Sequence, residues 1–187
     1  MLNFFQKMLI GYVFIILDIN IGIDILLDVI GYCIVANGLA HLNTIKGANV
    51  AKTLAIILGL LSIFEMPIFS EFWTSSNVTF QYFYLVSYHS LIICYYYFIF
   101  EVCTHLLSGT NHEDYTKKVK NFMLFTNWLV LISNGIMLHR YESAVALFGL
   151  VLIICAFASI IVYIVYLYKM KRYAEYLEKH AVVEANP

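Results

Sequence analysis

Charge is what this chain has least of. Only 12% of its 187 residues are Asp, Glu, Lys or Arg, whereas soluble domains run near a quarter. The deficit extends over the whole length, with 62% hydrophobic residues and a mean hydropathy of +0.81. That balance excludes an ordinary soluble domain and predicts an all-α, polytopic membrane protein, residues 1–187 forming one domain. A net charge of −1 excludes the basic surface that nucleic acid requires, so no nucleic-acid partner is expected. Cysteine is sparse as well. Cys33, Cys94, Cys103 and Cys155 all fall in apolar stretches and form no C-x-x-C pair. A disulfide framework and a structural zinc site are thereby excluded, and the four read as small buried hydrophobes. The chain also lacks G-x-S-x-G, H-E-x-x-H, a phosphate-cradling nucleotide loop and a redox cysteine pair. A membrane-embedded enzyme is therefore the least supported class, and active transport would need partner subunits or an ion gradient. No small-residue cleavage pattern follows the first apolar run, where Ile19, Asn20 and Ile21 stand. The N-terminus reads as a retained helix.

What the chain does have is apolar runs of bilayer length. A crossing helix needs about 20 apolar residues, with about 17 as the low end. Six spans are expected: Leu2–Asp18, Ile25–Leu42, Thr53–Phe72, Phe80–Leu107, Val119–Leu138 and Ser143–Tyr168. The first two are short and nearly contiguous, so they form a tight helical hairpin or, alternatively, one re-entrant element. Residues 43–52 (NTIKGANVAK) read as an inter-helix loop. In residues 108–118 (SGTNHEDYTKK), Ser108-Gly109 stops a helix, and Thr110 with Glu113 has capping-box spacing for an interfacial turn. The segment from Lys169 to Pro187 continues the last helix as a short cytoplasmic tail, its basic start suited to an anionic leaflet.

Alternation of six spans can be tested against the basic residues. With the N-terminus inside, ten of the eleven Lys and Arg residues fall on the cytoplasmic side and Arg140 alone falls outside, as the positive-inside rule requires. The expected topology is therefore multi-pass in the cell membrane with both termini cytoplasmic. Acids divide the other way. Asp18, Asp24, Asp28, Glu65, Glu71 and Glu142 lie at or near the outer face, an acidic mouth that attracts cations.

Three of these acids stand in residues 17–28, LDINIGIDILLD. Asp24 and Asp28 are four apart and share a helix face. Asp18 and Asn20 suit a turn at Gly22, and Asp24 suits a helix N-terminus. A turn does not explain Asp28, one helical turn further in. Its expected neighbours are Glu65 and His89, and the outer set Asp28, Glu65, His89, Asp24 and Asp18 could take a cation through oxygen ligands. Whether a metal is held is open. Glu65 precedes Pro67, which removes an N–H and predicts a kink. A haem would need a facing ligand at matching height. Neither His41 nor His139 supplies one, and no cofactor is assigned.

The fourth span carries a second constellation. At about 100° per residue, Ser90, Cys94, Tyr97, Glu101, His105 and Ser108 share one stripe. Such a stripe faces protein or a water-filled cavity. Glu101 and His105 are i, i+4 and are expected to hydrogen-bond, as a proton or cation relay or as interhelical glue. Matching Glu-x-x-His motifs are absent, which argues against a di-iron site. In the fifth span Asn127 and Asn134 share a face beside Thr126 and Ser133 and are expected to bond between helices. Six of the fifteen tyrosines fall in the fourth span. Aromatic-rich cavities suit flat or cationic ligands.

Two principal functions fit. One is a small transport or ligand-binding subunit for a cation or small organic molecule reached from the outer face. The other is a non-catalytic sensor, immunity or assembly partner of another membrane protein. The bilayer is the expected environment, with a membrane partner or a homo-oligomer possible. In outline, a six-span chain of this size with both termini inside is similar to the substrate-binding subunits of energy-coupling-factor vitamin transporters. The resemblance is one of topology alone. No motif is shared, the short first hairpin departs from the pattern, and no residue role carries over.

Overall fold

The computed structural model describes residues 1–16, 27–63, 78–137 and 142–185. These form six helices and no strand: α1 Leu2–Ile16, α2 Leu27–Ala40, α3 Ala48–Ser62, α4 Val78–Leu106, α5 Glu113–Met137 and α6 Glu142–Ala185. The all-helical expectation holds. Two segments are long and apolar enough to cross a membrane, Thr79–Leu106 in α4 and Ile153–Ala181 in α6. Helices α1, α2 and α3 are apolar but only 15, 14 and 15 residues long. Helix α5 is longer, but Lys117, Lys118, Lys120, Asn121, Asn127 and Asn134 dilute its apolar character.

Helix boundaries differ from expectation where polar residues were read as loop. Helix α3 starts at Ala48, so Lys52 and Thr53 lie inside it. The reason is the turn before it. Gly47 takes φ 89°, a left-handed conformation that a side chain disfavours, and its carbonyl accepts the Ala51 N–H at 2.9 Å. Helix α5 likewise starts at Glu113, six residues before the expected span. Helix α6 runs 44 residues without interruption, so the tail does continue the last helix.

By contacts the chain divides into two compact units, Met1–Met66 with Ile164–Pro187, and Pro67–Tyr163. In the first, α1 packs on α2 and α2 on α3. Gly11 lies opposite Gly31, while Lys7 lies opposite Gly38 and donates to Asn37 Oδ1 at 3.0 Å. Falling numbers on one helix against rising numbers on the other make the pair antiparallel, as a hairpin requires. A Cβ on Gly11 would stand 2.6 Å from the Gly31 carbonyl oxygen, and one on Gly31 would stand 2.6 Å from that of Gly11. The two backbones touch, a small-residue contact typical of helices in membranes. Phe4, Phe5, Met8, Val35, Leu39 and Leu58 are buried in this unit.

In the second unit α4 packs on α5. Its buried residues include Ile99, Phe100, Val102, Cys103, Val119 and Met123. Tyr163 meets the edges of Tyr96 and Phe100 at 5.4 and 5.7 Å between centroids, geometry favoured by the ring quadrupoles. Of the four cysteines expected to be buried only one is, and Cys155 is partly exposed. Cys103 is buried, but Cys33 and Cys94 are exposed, on outward helix faces.

Candidate functional site

The α4–α5 hairpin turns on six residues between Leu106 and Glu113. Gly109 adopts φ 75°, and the polar groups around it close the turn. Thr110 donates its hydroxyl to the Leu107 carbonyl at 2.7 Å and accepts the His112 N–H at 3.2 Å. Glu113 reaches back to accept the Gly109 N–H at 3.0 Å and pairs with Lys117 at 2.6 Å. The Thr110–Glu113 pair thus lies at the start of α5, but the reciprocal bonds of a capping box do not form: Thr110 accepts from His112 and Glu113 from Gly109. The Lys117 hydrogen bond, then the Gly109 N–H, hold the Glu113 carboxyl below its ordinary pKa. The same pairing raises that of Lys117.

Because the turn is short, residues equidistant from it face each other. Glu101 stands five residues before the end of α4 and Lys120 seven after the start of α5, close enough for the long lysine side chain to make up the offset. Lys120 Nζ donates to Glu101 Oε1. The same ammonium lies 4.1 Å from the centroid of the Tyr97 ring. Tyr97 and Glu101 are four apart on α4, so one helix face presents an aromatic ring and a carboxylate together. The two sides of the pair are unequally covered. The Lys120 side chain is 15% exposed and that of Glu101 44%. A carboxylate and a ring face are the chemistry that holds an organic cation, and here they hold the ammonium of Lys120.

This corrects the expected Glu101–His105 pair. His105 is exposed at the end of α4, and Glu101 turns instead to a cation 19 residues away. An ammonium carries a full charge and reaches across the helix pair. A histidine one turn along the same helix offers a weaker interaction. The rest of the stripe is less engaged: Ser90 donates to its own helix at Val86 O, 2.7 Å, and Cys94 is exposed. Of the expected glue on α5, Asn127 donates to Met123 O at 2.8 Å. Thr126 donates to Phe122 O and Met123 O at 3.1 and 3.0 Å. These bonds lie within α5 itself, and among the described residues neither side chain bonds to another helix as expected.

Of the outer set, Asp28 sits in the first turn of α2, partly buried, in the first unit. His89 sits on α4 in the second. Its Nδ1–H donates to the Leu85 carbonyl at 3.0 Å. A carbonyl can only accept, so this fixes the proton on that nitrogen. The Tyr88 ring stands edge-on to His89 and stacks against Tyr84. Asp18, Asp24, Glu65 and the Pro67 kink lie outside the described residues. Among the described residues no three His, Cys, Asp or Glu side chains gather as a metal-binding group. No family model, curated protein or solved structure matches the chain.

Proposed function

We propose that this chain is a multi-pass membrane protein of six crossings with both termini cytoplasmic, acting as a small transport or ligand-binding subunit for a cation or small organic molecule reached from the outer face. Composition and the inward bias of Lys and Arg support the membrane reading. So does the coverage of the two long apolar helices. Only 17% of the apolar window in Thr79–Leu106 and 28% of that in Ile153–Ala181 is buried, too little for core helices of a soluble protein. The observation that carries the ligand class is the pairing of the Tyr97 ring and the Glu101 carboxylate around one ammonium group. The acids near the outer face add a field that draws cations toward the protein.

The test is ligand-dependent stabilisation of the purified chain, with native mass spectra from mild detergent to identify what is bound. Asp28→Asn and Glu101→Gln should leave the chain folded and remove stabilisation by the ligand so identified. If neither change alters ligand stabilisation, the transport reading fails. A stoichiometric membrane protein retained in its place would establish the accessory role instead. Labelling of single cysteines from either side of the membrane tests the six crossings.

A further inference from the structure

The ion pair between α4 and α5 is open on one side. Lys120 bonds to a single carboxylate oxygen of Glu101, Oε1, and among the described residues Glu101 takes no second cation. The Glu101 side chain is 44% exposed and Tyr97 42%, so carboxylate and ring both remain reachable beside the lysine. The helix contact does not depend on Lys120. Val102, Cys103, Val119 and Met123 are buried in the same unit and give α4 and α5 an apolar filling of their own. The lysine stem loses rotamer freedom while its head is held, and release recovers it. Toward the turn, Lys117 and Lys118 are exposed, so a released ammonium has polar surroundings within reach. What Lys120 supplies defines the group that can replace it. Its ammonium donates an N–H to the carboxylate and lies 4.1 Å from the ring centroid, inside the about 6 Å range of cation–π attraction. A primary alkylammonium offers both contacts. A quaternary ammonium offers the ring contact but has no N–H for the carboxylate. Exchange of one ammonium for another never leaves the carboxylate uncompensated, which is the costly state.

We propose that Lys120 is a tethered competitor for a primary alkylammonium ligand, which takes the Tyr97–Glu101 seat when the lysine swings out. The wild type is thereby self-inhibited: its apparent affinity is reduced to the fraction of molecules whose seat is free. The inference rests on the reading of Glu101 as a ligand contact and adds to it the class of the ligand and its regulation.

The experiment titrates the purified full chain in mild detergent with n-butylammonium, methylammonium and tetramethylammonium chlorides at constant ionic strength, read by calorimetry and thermal stabilisation. Lys120→Ala vacates the places of both head and stem and should bind n-butylammonium about tenfold tighter than the wild type. Lys120→Met keeps the stem and removes the charge. It should gain about tenfold for methylammonium, and it carries the test if Lys120→Ala loses its helical circular dichroism. Glu101→Gln added to either variant should abolish the gain. Tyr97→Leu should reduce the gain, and Tyr97→Phe should keep most of it. Lys118→Ala, which removes an exposed lysine two residues away, should match the wild type. No gain in the Lys120 variants overturns the proposal, as does an equal gain in Lys118→Ala or a gain that survives Glu101→Gln. Tetramethylammonium binding more tightly than the primary amines overturns the ligand class. If the wild type's own ligand is lost on Glu101→Gln but Lys120→Met binds that ligand no tighter, the lysine is no competitor and this proposal alone fails. If the ammonium gains occur yet that ligand ignores Glu101→Gln, the ligand reading fails and the ammonium seat stands.

Discussion

Two of the helix hairpins of this protein, α1–α2 and α4–α5, hold together by opposite means. Helices α1 and α2 meet backbone to backbone at Gly11 and Gly31, where no side chain fits between them. Helices α4 and α5 meet through side chains, with a lysine reaching across to a carboxylate and an aromatic ring. The first contact depends on the absence of atoms and tolerates no addition. The second depends on the charge and length of particular groups and should respond in steps as each is removed.

The largest effect should come from filling the glycine contact. Gly31→Leu places a side chain where a Cβ alone would be 2.6 Å from both the Gly11 carbonyl oxygen and Ile15 Cγ1. The helices must separate, at a cost of about 3 kcal/mol or more, read as a lowered melting temperature in detergent. Gly59→Ala is the contrasting control. Its Cβ would lie 3.1 Å from the Tyr32 Cβ, which a small shift relieves, so the loss should be well under that of Gly31→Leu. A smaller loss for Gly31→Leu than for Gly59→Ala would show that backbone contact does not hold this hairpin.

In the second hairpin, unequal coverage should make the ion pair asymmetric. Glu101→Gln strands the ammonium of Lys120, which is only 15% exposed, whereas Lys120→Met leaves a carboxylate that is 44% exposed and can be hydrated. The first should cost about 1–2 kcal/mol after allowance for solvent screening, and the second less. Equal losses in chemical denaturation would mean that coverage does not govern the pair. Tyr97→Leu removes the ring face and should cost about 0.5–1 kcal/mol, while Tyr97→Phe keeps most of it.

The smallest effect lies at the turn itself. Glu113 has its carboxyl pKa lowered by Lys117 and the Gly109 N–H, and Lys117 has its own raised by Glu113. The carboxylate's contribution is present above its unfolded pKa and disappears as pH falls through the lower folded value. The lysine's contribution is present below its unfolded pKa and disappears as pH rises through the higher folded value. Amide exchange at Gly109 should therefore be slowest relative to Glu113→Gln between those limits. A protection ratio that stays constant across acid pH would refute the Glu113 contact.

The contrast between the hairpins also marks how far the residues could be read in advance. The helical class, the hairpin of α1 and α2, the polar turn around Thr110 and Glu113 and the continuous last helix are legible, because each rests on composition or on neighbours within a few positions. The start of α3 at Ala48 was missed because NTIKGANVAK is polar throughout, and polarity alone does not separate a turn from the exposed first turn of a helix. The Glu101 partner was missed through preference for the nearest histidine. Counting outward from Gly109 and Thr110 leads to Lys118, so only the rotation of the two helices selects Lys120. Nothing local told Cys33 and Cys94, which are exposed, from Cys103, which is buried.

Scarce charge, long apolar runs and periodic polar positions are local properties, and they suffice to make this chain helical and to suggest a bilayer as its surroundings. Which helix face meets which is a different kind of quantity. Gly11 against Gly31 and Lys120 rather than His105 for Glu101 both depend on register and rotation between helices. Many close-range contacts set these together, and no single segment encodes them. The turn at Gly109 shows where the two levels join: local hydrogen bonds close it, and its shortness then brings Lys120 to Glu101.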